Sequence, residues 1–439
     1  MPVANRMMKR LLVHIGLLFS AVGLWPASPI DNYHILPPSQ PIPSSFFGMH
    51  IHHMVSPNGT SPLTPWPSVN IPEWRLWDAR VTWPELEPIK GQWRFGVLDK
   101  SIEMAEARHT EVMLTLGFTP QWASARPEER VGYNPGWAAE PRDVEDWRSF
   151  VQTVAIRYKG RIRIYEIWNE ANLKNHYWTG SVEQMVALVH AAHDIIKSVD
   201  PAAIIVSPSS TTVYGLPWFS DFLGQGGGRY VDVIGYHFYV TPSPPEAMVA
   251  LVEKLKQVMR ANGVENKPIW DTETGWMPSP QPLSEDIGAA YLARSYILLW
   301  AEGVQRFYWY AWDNNKMSVV TTRTDNETLT PAGEAFGTIQ KWLVGTRMDW
   351  CDQDTSQTWT CQLTGHGELR WIVWNTDRTK PFVPPVSWRV RTVLPLLGAA
   401  HEYDGTRVIT TPIPQLLIPS DLNSSEGLGR PLVSINKRP

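Results

Sequence analysis

Tyr165-Glu166-Ile167-Trp168-Asn169-Glu170 and Pro268-Ile269-Trp270-Asp271-Thr272-Glu273-Thr274-Gly275-Trp276 decide the reading of this chain. Each is a short apolar run of strand type that ends abruptly in a carboxylate. They lie about 100 residues apart, and a (β/α)8 barrel of ~250 residues uses about 31 residues per strand–helix unit. Three units fill the gap. That spacing puts Glu170 and Glu273 at the mouths of the fourth and seventh strands of one TIM barrel, on the face where sites of this fold lie. Paired carboxylates there suit glycosidic bond cleavage: one protonates the leaving oxygen, and the other stands across the anomeric carbon.

Outward from these stretches, strand-like and helix-like segments alternate. Strands are expected at 46–50, 73–77, 111–116, 162–168, 203–207, 231–237, 268–273 and 306–311. Helices are expected at 97–108, 144–158, 182–199, 247–262 and 285–302. Alternation of this kind implies βαβ units and a parallel sheet, and eight units in about 300 residues favour closure. No Gly-rich phosphate loop follows the first strand, which argues against a dinucleotide fold. From about Gly345 the segments shorten and alternate, as at 358–363, 369–375, 386–393 and 407–411, and read as a small β module. The expected organisation is a signal peptide at 1–27, a Pro-rich linker at 28–44, a catalytic α/β barrel at 45–345, a small β domain at 346–420 and a loose tail at 421–439.

The leader is Arg6, Lys9 and Arg10, an apolar run from Leu11 to Trp25, then Pro26-Ala27-Ser28. Basic, apolar and small residues in that order are a secretory signal, so a secreted or periplasmic protein is expected. An uncleaved anchor is the alternative, because Ala27 suits the cleavage site and Trp25 does not. The run is short of the ~20 apolar residues of a spanning helix, so stable membrane insertion is not expected. Net charge is −4 with interspersed signs, which gives no basic stripe for nucleic acid. Cys351 and Cys361 lack the partners of a metal site and, in an exported protein, suit one local disulfide.

The 23 tryptophans are many, and Trp122, Trp137, Trp168, Trp178, Trp218, Trp276 and Trp312 fall near predicted loops or strand ends. A flat indole suits stacking on a sugar ring; the plainer alternative is core filler. Trp122, Trp137 and Trp178 hint at several subsites and an endo-acting cleft. His50, His52 and His53 are too closely grouped for a strong metal set and read as polar sugar contacts, His50 first among them. Neither metal nor cofactor is required by two-carboxylate chemistry. Carboxyls ~5 Å apart repel by about 3 kcal/mol at an effective dielectric near 20, roughly two pKa units, so one holds its proton near neutrality. Residue spacing alone does not say which.

A strand ending in Asn-Glu, followed three strands later by a strand ending in Glu, resembles clan A of the glycoside hydrolases. Family 39 is the nearest, on Leu114 to Ser124 and on Arg75, Trp83, Leu86-Glu87-Pro88 and Gly91-Gln92-Trp93. The resemblance spans roughly residues 45 to 345. It implies a retaining hydrolase with Glu170 as acid/base, Glu273 as nucleophile and Asn169 donating to the sugar 2-hydroxyl. It also implies that Arg75 keeps the nucleophile ionised, although a plain structural ion pair is the alternative. His237 or Tyr239 would contact the nucleophile; a one-residue uncertainty in register leaves both open. Trp276 and Trp312 are further candidates for the sugar site, the latter as an aromatic platform. Ala171 stands where members often have Pro, and Thr274 where an aromatic often follows the nucleophile; these departures bear on the subfamily and substrate more than on the two glutamates.

Asp271 is the rival to Glu273, expected by parity to point the same way but deeper. Glu166 reads as buried and paired. The expected partner is a carbohydrate; oligomeric state is left open. A different class of function, a carbohydrate-binding protein on a barrel without catalysis, gives no reason for two repelling carboxylates.

Overall fold

A computed structural model describes residues 33–365 and 367–419. The expected signal peptide and tail lie outside the described residues, as does the first part of the expected linker. Eight strand positions form the barrel wall: β2 (Phe47–His50), β3 (Glu73–Leu76), β4 (Glu111–Leu116), β5 (Ile164–Ile167), β6 (Ile204–Val206) with β7 (Ser210–Thr211), β8 (Ile234–His237), β9 (Ile269–Thr274) and β10 (Val304–Trp309). Neighbours pair in parallel in the order β6-β5-β4-β3-β2-β10-β9-β8-β7. The circle closes where Asp232 N–H donates to Ile205 O (2.7 Å) and Ser207 N–H to Val233 O (3.0 Å). The chain is thus a TIM barrel followed by an antiparallel β module.

The wall strands are buried along almost their whole length because both faces are covered. Outward residues such as Phe47 and Phe307 pack on Tyr296 of the helix Glu285–Ala301. Inward, Met113, Ile164, Val206, Val233, Trp270 and Tyr308 form an apolar floor. Gly48 leaves room for it, since a Cβ there would sit 2.4 Å from the Tyr308 ring. Arg306 caps the floor from below, its guanidinium 4.3 Å from the Trp270 ring centroid and bonded to Glu73 (2.6 Å) and Glu111 (2.9 Å).

Pro208, which has no N–H to give, interrupts the fifth wall position between β6 and β7. On β9 the register slips: Phe307 faces Asp271 and Trp309 faces Thr274, one residue more on β9 than on β10. This bulge re-aims the residues at the strand's end.

The second sheet has the order β1-β11-β12-β13-β18-β15-β16, from β1 (His34–Ile35), β11 (Arg347–Gln353), β12 (Thr358–Gly365), β13 (Glu368–Asn375), β15 (Thr392–Pro395), β16 (His401–Glu402) and β18 (Gln415–Ile418). A small ribbon pairs β14 (Lys380–Phe382) with β17 (Val408–Thr410). Two expectations need correction. Residues 34–35, inside the expected linker, add an edge strand to this sheet, because the chain enters the barrel alongside β11. Residues 386–393 are not one strand: Val386–Trp388 is a 3-10 turn and Arg389 has φ 52° before β15 begins. Cys351 and Cys361 face each other on β11 and β12 and are joined as a disulfide. Trp359 stacks between Tyr33 and Trp374, and the Trp374 indole N–H donates to Glu246 of the barrel (2.9 Å).

The floor is predicted to dominate barrel stability. Trp270→Ala should cost about 3–5 kcal/mol, read as a lower urea midpoint with an unchanged slope.

Candidate active site

Above the apolar floor lies a polar layer, and above that the mouth. Arg75 of β3, Thr115 of β4, Glu166 of β5, Ser209 after Pro208 and Thr272 of β9 make the layer, all buried. The mouth holds His50, Asn169, Glu170, His237 and Glu273, each less than 8% exposed.

Two features aim the glutamates. Trp168 (φ 72°) and Glu170 (φ 43°) adopt left-handed backbone at the end of β5, a conformation that costs about 1–3 kcal/mol per non-glycine residue and persists only when the surroundings enforce it. The Trp168 indole supplies the enforcement: it is buried against Trp178, with its N–H on Tyr177 O at 2.9 Å. On β9, Trp270 and Thr272 face inward, and the bulge then turns Glu273 inward as well. Asp271 does not follow Glu273, contrary to the parity expectation. Its Oδ1 instead accepts from Glu273 N–H (3.3 Å) and the Thr274 hydroxyl (2.9 Å). Thr274, standing in place of an aromatic, therefore ties the strand end.

Arg75 is the hub. Its Nη1 donates to Glu273 Oε2 (2.9 Å), its Nη2 to Glu166 Oε2 (2.5 Å) and Asn169 Oδ1 (2.7 Å), and its Nε to Glu166 (2.8 Å). A guanidinium only donates, so Asn169 must turn its carbonyl toward Arg75. The amide Nδ2 of Asn169 is left buried without a protein partner, free to donate to a ligand. His50 donates from Nε2 to Thr272 O (3.0 Å), and its Nδ1 has no partner. Burial, with Arg75 nearby, keeps the His50 ring neutral by lowering its pKa well below the usual value.

The two alternatives at β8 resolve into separate contacts. The Tyr239 hydroxyl donates to Glu273 Oε1 (3.0 Å), whereas His237 Nδ1 lies 3.0 Å from Glu170 Oε1. One oxygen of Glu170, one of Glu273 and a ring nitrogen of His237 all fall within 4.8 Å of one another. This is the one grouping among the described residues with the spacing of a cation site. Arg75 already supplies the positive charge to Glu273, so the cluster is a carboxyl dyad with its own counterion rather than a ligand set.

Burial pushes both Glu170 and Glu273 up to about 7. Arg75 opposes that rise at Glu273, and its guanidinium and the Tyr239 phenol are in direct contact with the carboxyl. Glu170 has a hydrogen bond from Thr211 and an imidazole that burial depresses to about 4 and so holds neutral. Two carboxylates this close do not ionise together. The proton the pair keeps near neutral pH belongs on Glu170. For Glu166 the attraction of Arg75 outweighs burial, and its pKa is lowered.

Other expected contacts are not found. Trp276 is buried between Trp309 and Tyr291, and Trp312 is also fully buried, so neither offers a ring face to a sugar. Trp178 is buried as well, which withdraws part of the hint of an extended cleft. Trp122 and Trp137 are half-buried. Residue patterns also missed Asp78, which accepts from Tyr133 (3.1 Å) and Tyr310 (2.8 Å), and the pair Ser209 and Thr272. Asp78 and Ser209 each lie within two residues of a predicted strand end, so screening polar residues at every strand terminus would have found them.

The family model "Glycosyl hydrolases family 39" matches residues 85–330, a range that contains Glu170 and Glu273. A beta-xylosidase of Caldicellulosiruptor saccharolyticus is 29% identical over 222 residues, 46% of this chain and 45% of that protein. A beta-xylosidase of Geobacillus stearothermophilus is 25% identical over 237 residues, 48% and 46% of the two chains. The match thus spans about half the length of these curated relatives. Among solved structures, a family 39 glycoside hydrolase from Bacteroides cellulosilyticus WH2 superposes with TM-score 0.68 at 18% identity, covering 86% of this chain and 81% of that one. A monomeric beta-xylosidase from Caulobacter crescentus CB15 gives 0.60 at 16%, covering 86% and 97%. These two likenesses concern the fold.

Glu170 should weaken the fold where it is forced to ionise. Its carboxyl titrates near 7 in the folded chain against about 4.5 when free. Between those values the folded state holds a proton that the unfolded state has released, so the stability this group contributes declines as pH rises and is gone above about 7. Glu170→Gln should therefore stabilise by on the order of 2–3 kcal/mol at pH 8 and much less near pH 4, read as melting temperatures of the two proteins across that range. Equal melting at pH 8 would contradict the assignment.

Proposed function

The chain belongs to family 39 of the glycosyl hydrolases, and from that premise we propose that it is a retaining glycosidase acting on β-linked sugars of an oligosaccharide or polysaccharide. The observation that carries the reading is the separation of the dyad. Oxygens of Glu170 and Glu273 within 4.8 Å agree with the ~5–5.5 Å between carboxyl groups of retaining enzymes, and leave no room for the water that inverting enzymes hold across ~6.5–9.5 Å.

In this reading Glu170 gives its proton to the glycosidic oxygen as the bond to the anomeric carbon breaks. The Glu273 carboxylate, held ionised by Arg75 and Tyr239, forms a bond to that carbon from the other face. The leaving group departs as an alcohol, and a glycosyl ester on Glu273 remains. Water then replaces the leaving group: Glu170, now a carboxylate, takes a proton from it as the oxygen attacks, and the Glu273 ester bond breaks. Two inversions give net retention. Asn169 Nδ2 donates to the 2-hydroxyl beside the reacting carbon, and His50 Nδ1 offers a nearby acceptor. The named activities of the matching relatives make β-xylosides the first substrates to test. The order of residues in the leader supports export.

The two roles predict different failures. Glu170→Ala should lose on the order of 10²–10⁴-fold on alkyl glycosides, but little in the first step on dinitrophenyl glycosides, whose leaving groups need no proton. Glu273→Ala should lose activity on both. NMR of the first sugar released should show the β-anomer. If both variants keep full turnover, or if the first anomer is inverted, the reading fails.

A further inference from the structure

The hydrogen atoms of one buried chain at this site can be assigned by counting. Ser209 Oγ lies 2.6 Å from Glu166 Oε1 and 2.7 Å from Thr272 Oγ1. Thr272 Oγ1 lies 3.1 Å from His237 Nε2, and His237 Nδ1 lies 3.0 Å from Glu170 Oε1. All five residues are buried. Each hydroxyl has one hydrogen to donate.

Glu166 Oε2 accepts twice from Arg75 and once from Thr115. That carboxyl is ionised and can only accept. Ser209 must therefore donate to it, which leaves the Ser209 oxygen to accept from Thr272. Thr272 has then used its hydrogen and must accept from His237, so the imidazole hydrogen is on Nε2. A neutral ring in that tautomer presents a lone pair at Nδ1. A carboxylate 3.0 Å from that lone pair would be repelled; a carboxylic acid donates to it. The opposite tautomer would leave Ser209 and Thr272 oxygens 2.7 Å apart with no hydrogen between them.

We propose that Ser209 and Thr272 are positioning residues that carry the negative charge of Glu166 through to His237 as a preference for the Nε2–H tautomer, and so hold the proton on Glu170 in the free enzyme. The inference rests on the reading of Glu170 as the acid. It also gives the second step a driving force. Once Glu170 has given up its proton, its carboxylate faces the Nδ1 lone pair, and recovering a proton from the attacking water relieves that repulsion.

Other groups act on the same carboxyl. Arg75 and Asp78 face Glu170 from β3 and the loop after it, His176 and Tyr177 from its own loop, Tyr239 from the end of β8 and Glu273 from β9, while Thr211 of β7 gives it a hydrogen bond. His50, Arg75, Glu166 and Glu273 act on His237. These set the baseline; the hydroxyl pair selects the tautomer.

Long-range ¹H–¹⁵N spectra of ¹⁵N-histidine-labelled wild-type protein, with His237 assigned by loss of its signals in His237→Asn, test this directly. The expected result is a proton on Nε2 and a bare Nδ1 at neutral pH. A proton on Nδ1, or on both nitrogens, overturns the proposal, and this needs no substrate. Thr272→Val and Ser209→Ala each free the ring to turn its hydrogen to Nδ1 and donate to a Glu170 carboxylate. The alkaline limb of kcat/KM should then fall by about one pH unit, and the ¹⁵N pattern should switch. An active Thr272→Val enzyme whose alkaline limb stays at the wild-type position also overturns the proposal. Failure to hydrolyse any glycoside would count against the hydrolase reading and not against the tautomer.

Discussion

One guanidinium organises this site. Arg75 comes from β3, yet it reaches carboxylates on β5 and β9 and the Asn169 carbonyl beyond β5. A buried cation is costly unless paired, and two anions beside it are costly without it. Each group is therefore tolerable only in the presence of the others. The result is a pair of glutamates in nearly the same setting with opposite assignments. Glu273 touches the cation, and Glu170 touches a neutral ring. Asn169 is oriented by the same contact, which is why its buried amide donor is left without a protein partner.

Backbone geometry makes the convergence possible. A regular β9 would have turned Glu273 outward after Thr272; the bulge lets consecutive residues both face in. A regular exit from β5 would have carried Glu170 away; the left-handed Trp168 and Glu170 return it to the mouth. Both irregularities are held by buried groups, the Trp168 indole on one side and the Asp271–Thr274 tie on the other. The local departures from ideal strands sit where the chemistry is, as expected if such strain is kept for function.

Much of this was legible beforehand. Apolar runs that end in carboxylates gave the barrel, its strands and both glutamates, because parallel strands buried on two faces leave a clear mark in sequence. Glu166 read as buried and paired, and Arg75 as a residue beneath the nucleophile. The remainder depended on tertiary detail. Parity misled at Asp271 because a bulge has no local signature in Trp270-Asp271-Thr272-Glu273. His237 and Tyr239 stayed open because strand register is uncertain by one residue in sequence; in the structure each touches a different glutamate. Trp276 and Trp312 were misjudged because a large aromatic near a strand end fills a core as readily as it lines a cleft. Ser209 and Thr272 carried no motif at all; their meaning comes only from the groups on either side of them.

The central claim is that Arg75 divides the dyad, so that one glutamate is an acid and its neighbour an anion in the same buried space. Carboxyl ¹³C chemical shifts of ¹³C-glutamate-labelled protein, assigned with Glu170→Gln and Glu273→Gln and followed through mildly acidic pH, read that division most directly. The account predicts a protonated Glu170 beside an ionised Glu273. The reverse order, or two carboxylates titrating as ordinary surface acids, would contradict it.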